Sequence, residues 1–156
     1  MAKRVVLAVG LPGSGKSTYF EQRKIVPLSS DLLRLLLADD PTDQRYQDFI
    51  FRCLRYLLRL RLEMERPITY IDATNLSRGE RAFYIRIAQE HGAEVEAIFF
   101  DVPLEVCQQR NLARGRQVPA DAMLRLAERL TPPALEEGFS RITTVRADGS
   151  VTVEPR

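Results

Sequence analysis

The stretch "GLPGSGKS", residues 10–17, constrains the fold of this chain more than any other segment. It fits the pattern G-x-x-x-x-G-K-[ST], in which glycines let the backbone turn tightly and direct N–H groups at anionic oxygens. The pattern requires a buried strand before it and a helix after it. Both are predicted here, because "RVVLAV" (residues 4–9) is a continuous apolar run and residues 16–23 favour a helix.

This loop predicts a nucleotide site that binds ATP or another NTP together with Mg²⁺. We expect Lys16 to reach the β- and γ-phosphates and the Ser17 hydroxyl to bind Mg²⁺. The predicted ATP contacts in this segment are Gly10, Leu11, Pro12, Gly13, Ser14, Gly15, Lys16, Ser17 and Thr18. The loop alone does not identify the phosphate acceptor, so hydrolysis, transfer to a small molecule, transfer to nucleic acid and switching all remain open.

The rest of the chain alternates predicted strands and helices, which indicates a parallel sheet with helices on both faces. After the first strand we expect strands at residues 25–28, "PITYID", "EVEAIFFDV" and "RITTVRA". Helices are predicted from residue 31, over residues 43–65, from the capping box "SRGE" to residue 91, over residues 104–113 and over residues 119–130. The predicted fold is α/β: a three-layer P-loop NTPase, adenylate-kinase-like, with a five-stranded parallel sheet and a helical lid.

Length and composition predict a single domain over residues 1–156, of which 45% are apolar. No apolar run reaches the ~18 residues of a membrane span, and "MAKRVV" leads directly into a strand. We therefore expect a cytoplasmic protein with no membrane partner. The net charge of +2 neither requires nor excludes a nucleic-acid partner, but only three of the 23 cations are lysines. Arginine binds phosphate bidentately and stacks on bases, although the excess of arginine over lysine can also reflect genome composition.

Three aspartates follow predicted strands, at the edge where ligands gather in an open parallel sheet. Asp31 follows the second strand and Asp72 ends the third, whereas Asp101 ends the fourth and is expected to be structural. Asp31 can also be a helix N-terminal charge that interacts with the dipole. Asp72 can be a second-shell group for Mg²⁺ or a strand-end cap.

A phosphotransferase needs a carboxylate for the acceptor hydroxyl and cations for the charge on the transferring group. Asp31 is the candidate base, and Arg34 lies one helical turn later on the same face, where it can hold an acceptor phosphate. Arg110 and Arg114 are four apart before the loop "RGRQVP" and are candidate clamps over the triphosphate. An ordinary solvated helix face is the alternative for these two arginines.

The combination of segments resembles the 5′-hydroxyl polynucleotide kinase domain of phage and bacterial nucleic-acid end-repair enzymes. The matching segments are "GLPGSGKST", "SSDLLR", "IDATNL", "FFDVPLEVCQQRN" with "ARG", and "EEGFSRI", in the same order over residues 4–146. The glycine loop is shared by many NTPases. The set "SSD-x-x-R", "DATN" and "RN-x-x-RG" is much more specific.

The resemblance implies a role for each matching position. Lys16 and Ser17 would contact the phosphates and Mg²⁺, and Asp31 would be the general base on the 5′-OH. Arg34 would contact the phosphate on the 3′ side of the acceptor nucleotide, and Arg110 and Arg114 would bind the triphosphate from the lid. Asn75, in "DATN", would belong to the acceptor site. Phage members have an aspartate where this chain has Ala73, so the match places the acid at Asp72 instead.

The predicted function is therefore a polynucleotide 5′-hydroxyl kinase that acts on nucleic-acid 5′ ends, of DNA or RNA. Family members often carry fused end-healing domains, for which a chain of 156 residues has no room. We therefore expect a stand-alone kinase or an excised domain, with end-repair proteins or domains as partners. One alternative is a kinase of a small hydroxylated molecule or of an aminoacyl-tRNA, which would need no Arg34 if its acceptor carried no phosphate. The other is a non-catalytic nucleotide-dependent switch, for which the N/T-K-x-D-like signature is missing from the sequence.

Overall fold

The structure, a computed structural model, describes residues 2–115 and 118–155. The strands are β1 Arg4–Val9, β2 Leu28–Ser29, β3 Ile68–Asp72, β4 Glu94–Asp101, β5 Arg141–Arg146 and β6 Val151–Glu154. The α-helices are α1 Lys16–Gln22, α2 Ser30–Ala38, α3 Gln47–Glu63, α4 Arg78–Glu90, α5 Leu104–Ala113 and α6 Ala120–Arg129. A short 3₁₀ turn spans Leu135–Glu137.

The strands form one sheet in the order β2-β3-β1-β4-β5-β6. The first five strands are parallel, which confirms the predicted α/β architecture. The predicted count of five was wrong by one, because β6 pairs antiparallel with β5 after a tight turn. The residues of β6 are all exposed, so this edge strand lacks the apolar run that identified the others.

Helices cover both faces of the sheet because β1 is apolar on both sides. On one face Val5, Leu7 and Val9 pack with the buried sides of α3 and α4. On the other face Val6 and Ala8 pack with Phe20 of α1 and with β4. The carboxyl end of β1 therefore emerges from the most buried part of the molecule, and the glycine loop starts there.

Two element boundaries differ from the prediction for local reasons. The second strand is shorter and later than residues 25–28, because the Ile25 amide donates to Phe20 O at 2.9 Å and closes the end of α1. Helix α3 starts at Gln47 rather than at residue 43, because Asp40 Oδ1 accepts from the Thr42 amide at 2.8 Å and holds a turn.

Serine side chains cap the starts of two helices. Ser29 Oγ accepts from the Leu32 amide at 3.2 Å, so α2 begins at Ser30, one residue before the predicted start. Ser77 Oγ accepts from the Glu80 amide at 3.2 Å, and Glu80 Oε2 accepts from the Leu76 amide at 3.1 Å. Both helices therefore start at fixed positions directly after a strand.

No helix in residues 2–115 and 118–155 is both long and apolar enough to cross a membrane. Both cysteines are free thiols. Of the predicted loop "RGRQVP", residues 114–119, Arg116 and Gln117 lie outside the described residues.

Candidate nucleotide and acceptor site

The Lys16 side chain is held inside the glycine loop at the start of α1. Its ammonium Nζ donates to Gly10 O at 2.8 Å and to Leu11 O at 2.9 Å, and the residue is buried. Burial lowers the pKa of Lys16 to about 8, although the nearby carboxylates of Asp72 and Asp31 oppose this shift. A lysine that is buried beside a loop of backbone amides is well placed to meet a polyanion.

Backbone conformation and close packing both require glycine in this loop. Gly13 has φ +83°, and a Cβ at this position would lie 2.7 Å from the carbonyl oxygen of Cys107. Gly10 is restricted by packing alone, since its Cβ would lie 2.6 Å from Ser14 Oγ and 3.3 Å from Phe100 O. The loop is therefore packed against the start of α5, and its shape depends on the absence of side chains.

Asp72 and Ser17 meet beside Lys16. Asp72 ends β3, the neighbour of β1, and its Oδ2 accepts from Ser17 Oγ at 3.3 Å. Burial raises the pKa of the Asp72 carboxyl, whereas the Lys16 charge and the Ser17 hydrogen bond lower it. The sheet register thus places a carboxylate against the helix end that carries the phosphate-binding residues.

These two side chains fit a Mg²⁺ site. The Ser17 hydroxyl and the Asp72 carboxylate are hard oxygen donors in contact with each other, which is the chemistry that Mg²⁺ prefers. Among the described residues no group of three or more His, Cys, Asp or Glu side chains is arranged to hold a metal. Mg²⁺ bound here would therefore take its remaining ligands from phosphate oxygens and water, as is usual for nucleotide sites.

The predicted acceptor pair, Asp31 and Arg34, is brought together in α2. Asp31 Oδ1 accepts from Arg34 Nη1 at 3.0 Å, and the side chains are 42% and 8% exposed respectively. The other guanidinium nitrogen, Nη2, donates to Gln47 Oε1 at 2.6 Å. The negative charge of Asp31 raises the pKa of both Lys16 and Asp72, so its carboxylate lies close to the predicted nucleotide site. The same-face prediction for these two residues is confirmed.

Asn75 has a different position from the one expected for an acceptor ligand. It is 2% exposed, has φ +49°, and donates from Nδ2 to Ala8 O at 2.8 Å. Its amide therefore joins the loop after β3 to the end of β1, and in this conformation it does not face an acceptor.

Arg110 in α5 and Arg114, directly after α5, both reach the glycine loop. Arg110 Nη1 donates to Gly13 O at 3.3 Å, and Arg114 Nη2 donates to Thr18 Oγ1 at 3.4 Å. Two guanidinium groups thus contact the segment that is expected to hold the triphosphate, and their role as clamps stays a prediction.

Two supporting contacts were not predicted from the sequence. Gln47, which fixes Arg34, gave no signal because it is one of several polar residues around the start of α3. Arg81 is fully buried and forms an ion pair with Glu137 at 2.9 Å, and its Nη1 donates to the carbonyls of Asn75, Leu76 and Thr131. This arginine was detectable, because it shares a helical period with the buried residues Tyr84, Ile85 and Ala88.

A family model described as "AAA domain" matches residues 5–133, which include the glycine loop, Asp31, Asp72, Arg110 and Arg114. The chain belongs to the AAA domain family. Within this family its fold is that of the P-loop kinases, with a mostly parallel sheet between helices.

Two curated relatives are kinases that act on different acceptors. The L-seryl-tRNA(Sec) kinase of Methanococcus maripaludis is 25% identical over 83% of this chain and 53% of its own length. The bifunctional polynucleotide phosphatase/kinase of Schizosaccharomyces pombe is 26% identical over 92% of this chain and 33% of its own length. The chain thus spans about half of one relative and a third of the other.

A solved structure is also similar to this chain. A chain of the Pnkp1/Rnl/Hen1 RNA repair complex superposes with a TM-score of 0.70 and 26% identity, over 83% of this chain and 44% of that chain. The comparisons support ATP-dependent phosphotransfer as the shared chemistry and leave the acceptor open.

Proposed function

We propose that this domain is a polynucleotide 5′-hydroxyl kinase that transfers the γ-phosphate of ATP, or of another NTP, to a 5′-OH end of DNA or RNA. The observation that carries this proposal is the Asp31–Arg34 contact beside the nucleotide loop. A carboxylate suits a hydroxyl acceptor, and a buried guanidinium beside it suits an acceptor that already carries a phosphate.

In this mechanism the acceptor 5′ oxygen attacks the γ-phosphorus, and the bond to the β–γ bridging oxygen breaks in line. The Asp31 carboxylate takes the proton of the hydroxyl. Lys16, Arg110 and Arg114 stabilise the charge on the phosphate oxygens. Mg²⁺, held by Ser17 with Asp72 beside it, would neutralise charge on the β- and γ-phosphates.

Gln47 gives the acceptor site a fixed orientation. Because its Oε1 accepts from Arg34 Nη2 while Asp31 accepts from Nη1, the guanidinium plane is held between α2 and α3. We expect the guanidinium, in this orientation, to contact the phosphate on the 3′ side of the acceptor nucleotide.

The relatives support a second candidate, a kinase of a hydroxyl carried by an aminoacyl-tRNA. The specific observation is the 25% identity to the L-seryl-tRNA(Sec) kinase over 83% of this chain. The likeness to a chain of an RNA repair complex favours the first candidate and suggests end-repair proteins as partners.

A direct transfer assay separates these functions. The protein is incubated with γ-labelled ATP and Mg²⁺, and with 5′-OH DNA, 5′-OH RNA, nucleoside 3′-monophosphates, seryl-tRNA or small alcohols. We expect label on the 5′-OH oligonucleotides and on the 3′-monophosphates. Label on seryl-tRNA alone would support the second candidate, and label in free phosphate alone would contradict both.

A further inference from the structure

The outward face of α3 carries alternating aromatic and arginine side chains. Phe49, Arg52, Tyr56 and Arg59 are spaced by three, four and three residues, so they lie in one row along the helix. All four are exposed, and Phe49 and Tyr56 keep 58% and 59% of their surface accessible. We call these four residues the α3 row.

The α3 row does not contribute to the hydrophobic core. The opposite side of the helix supplies the packing through Ile50, Leu54, Leu58 and Leu62, which are all fully buried. Large aromatic side chains exposed beside arginines are typical of surfaces that bind single-stranded nucleic acid, where bases stack and cations meet phosphates. Core packing therefore gives no reason for the composition of this face.

The charge of the row is suited to a polyanion. Arg52 stacks over the Phe49 ring with Cζ 4.8 Å from the centroid. Neither Arg52 nor Arg59 forms an ion pair with a carboxylate anywhere in residues 2–115 and 118–155. Helix α3 contains four arginines, and its two acidic residues, Asp48 and Glu63, lie near its ends.

The α3 row begins at the acceptor side of the site. Gln47, the first residue of α3, contacts Arg34 directly. A groove of about 540 Å³ lies between the end of α2 and the start of α3, and is lined by Leu37, Ala38, Asp39, Arg45, Tyr46 and Phe49. The groove and the row share Phe49, so they form one continuous surface, and its α2 end at Leu37 lies one helical turn after Arg34.

We propose that this surface binds the body of a single-stranded acceptor, so that the strand runs from Arg34 through the groove and along the α3 row. Bases stack on Phe49 and Tyr56, and phosphates lie near Arg52 and Arg59. Each of these pairs is seven residues apart, or about 10 Å along the helix, a separation that only an acceptor of several nucleotides spans. This inference rests on the proposed function and narrows its acceptor from any 5′-OH to a strand with unpaired bases.

The test compares acceptors of increasing length in the labelled-ATP assay. For the wild-type protein we expect KM to fall from a nucleoside 3′-monophosphate through 5′-OH oligonucleotides of increasing length. Phe49→Ala and Tyr56→Ala should each raise KM for the long oligonucleotides about tenfold, because one base–aromatic stack is lost. KM for ATP and for the 3′-monophosphate should not change.

The arginines of the row are tested by salt. Arg52→Gln and Arg59→Gln should each reduce the slope of log affinity against log salt by about 0.7 for a single-stranded oligonucleotide. Matched controls are Arg146→Gln and Val153→Ala, on strands β5 and β6 at the other edge of the sheet. These controls should leave both KM and the salt slope at the wild-type value.

Three results overturn this inference while leaving the proposed kinase in place. They are a KM that does not depend on acceptor length, an unchanged KM in the Phe49 and Tyr56 variants, and a preference for a blunt duplex end over a single strand. By contrast, a protein that labels neither the oligonucleotides nor the 3′-monophosphates would contradict the proposed function itself.

Discussion

The nucleotide side and the acceptor side of the site differ in how firmly the fold holds them. On the nucleotide side Lys16 and Asp72 are each 8% exposed and are bound by backbone or by neighbouring side chains. On the acceptor side Arg34 is as buried as these two residues, but the Asp31 carboxylate is 42% exposed, and leucines of α2 such as Leu36 point into solvent at 66% exposure.

This difference has a physical origin in the sheet. The nucleotide side is built on the ends of the adjacent central strands β1 and β3, where a substitution disturbs the core. The acceptor side is built on α2 and the start of α3, where surface side chains change without such a cost. The relatives are consistent with this division, since their names share the word kinase and differ in the acceptor.

Replacing Lys16 should have the largest effect on activity. In Lys16→Met we expect transfer to fall about a thousandfold, because a preorganised charge on the transferring phosphate is lost. The measurement is kcat/KM for ATP with a saturating oligonucleotide, together with a circular dichroism spectrum to show that the protein is folded. Activity within tenfold of wild type would mean that the buried ammonium does not face the phosphates.

The support beneath the nucleotide side should be visible in stability. Arg81→Met leaves Glu137 buried without its partner and frees three carbonyls, so the free energy of unfolding should fall by about 3 to 5 kcal/mol. Urea unfolding measures this change. The control is Arg45→Met on the acceptor side, where the arginine of the Asp43 pair is 76% exposed and the expected change is small. Equal losses of unfolding free energy in Arg81→Met and Arg45→Met would show that the fold holds the nucleotide side no more firmly than the acceptor side.

The lowered pKa of Lys16 predicts two pH effects. The folded protein binds fewer protons than the unfolded chain between pH 8 and 10.5, so the Lys16 contribution makes the free energy of unfolding rise across this window. The rise is on the order of 3 kcal/mol and should be absent from Lys16→Met.

In the native protein kcat/KM for ATP should fall about tenfold per pH unit above pH 8, because the free enzyme loses the charge of Lys16. A flat profile up to pH 10 would show that Lys16 keeps its ordinary pKa.

The exposed leucines of α2 should give the smallest effect. Leu36→Ala is expected to change the free energy of unfolding by no more than about 0.5 kcal/mol, because the side chain is already in water. Leu58→Ala, at a fully buried position of α3, is the matched control and should cost about 2 to 5 kcal/mol. A large loss in Leu36→Ala would show that α2 packs more closely than its exposure indicates.

The sequence predicted the nucleotide side well because its chemistry is local. The glycine loop, its strand and its helix are contiguous, and Asp72 lies at the end of a neighbouring strand, where the strand-end rule expects ligand-binding groups. The same rule applied to Asp31, and helical spacing was enough to predict its contact with Arg34.

The remaining features depend on distant partners. The buried Arg81–Glu137 pair joins residues 56 positions apart, and Gln47 meets Arg34 across a turn, 13 positions away, where helical spacing predicts no contact. The burial of Asn75 was not predicted, because it depends on a hydrogen bond to Ala8, 67 positions away. Strand β6 was missed because it is short and exposed at the sheet edge, so Val151 and Val153 form no buried apolar run.

The central claim is that Asp31 is the base of a kinase whose acceptor site is separate from its ATP site. The most direct measurement compares wild type and Asp31→Asn for ATP binding, by calorimetry, and for transfer to a 5′-OH oligonucleotide. For Asp31→Asn we expect ATP affinity within a few-fold of wild type and transfer slower by about 10² to 10⁴. Normal transfer by this variant would contradict the role of Asp31, because another group would then have to remove the proton.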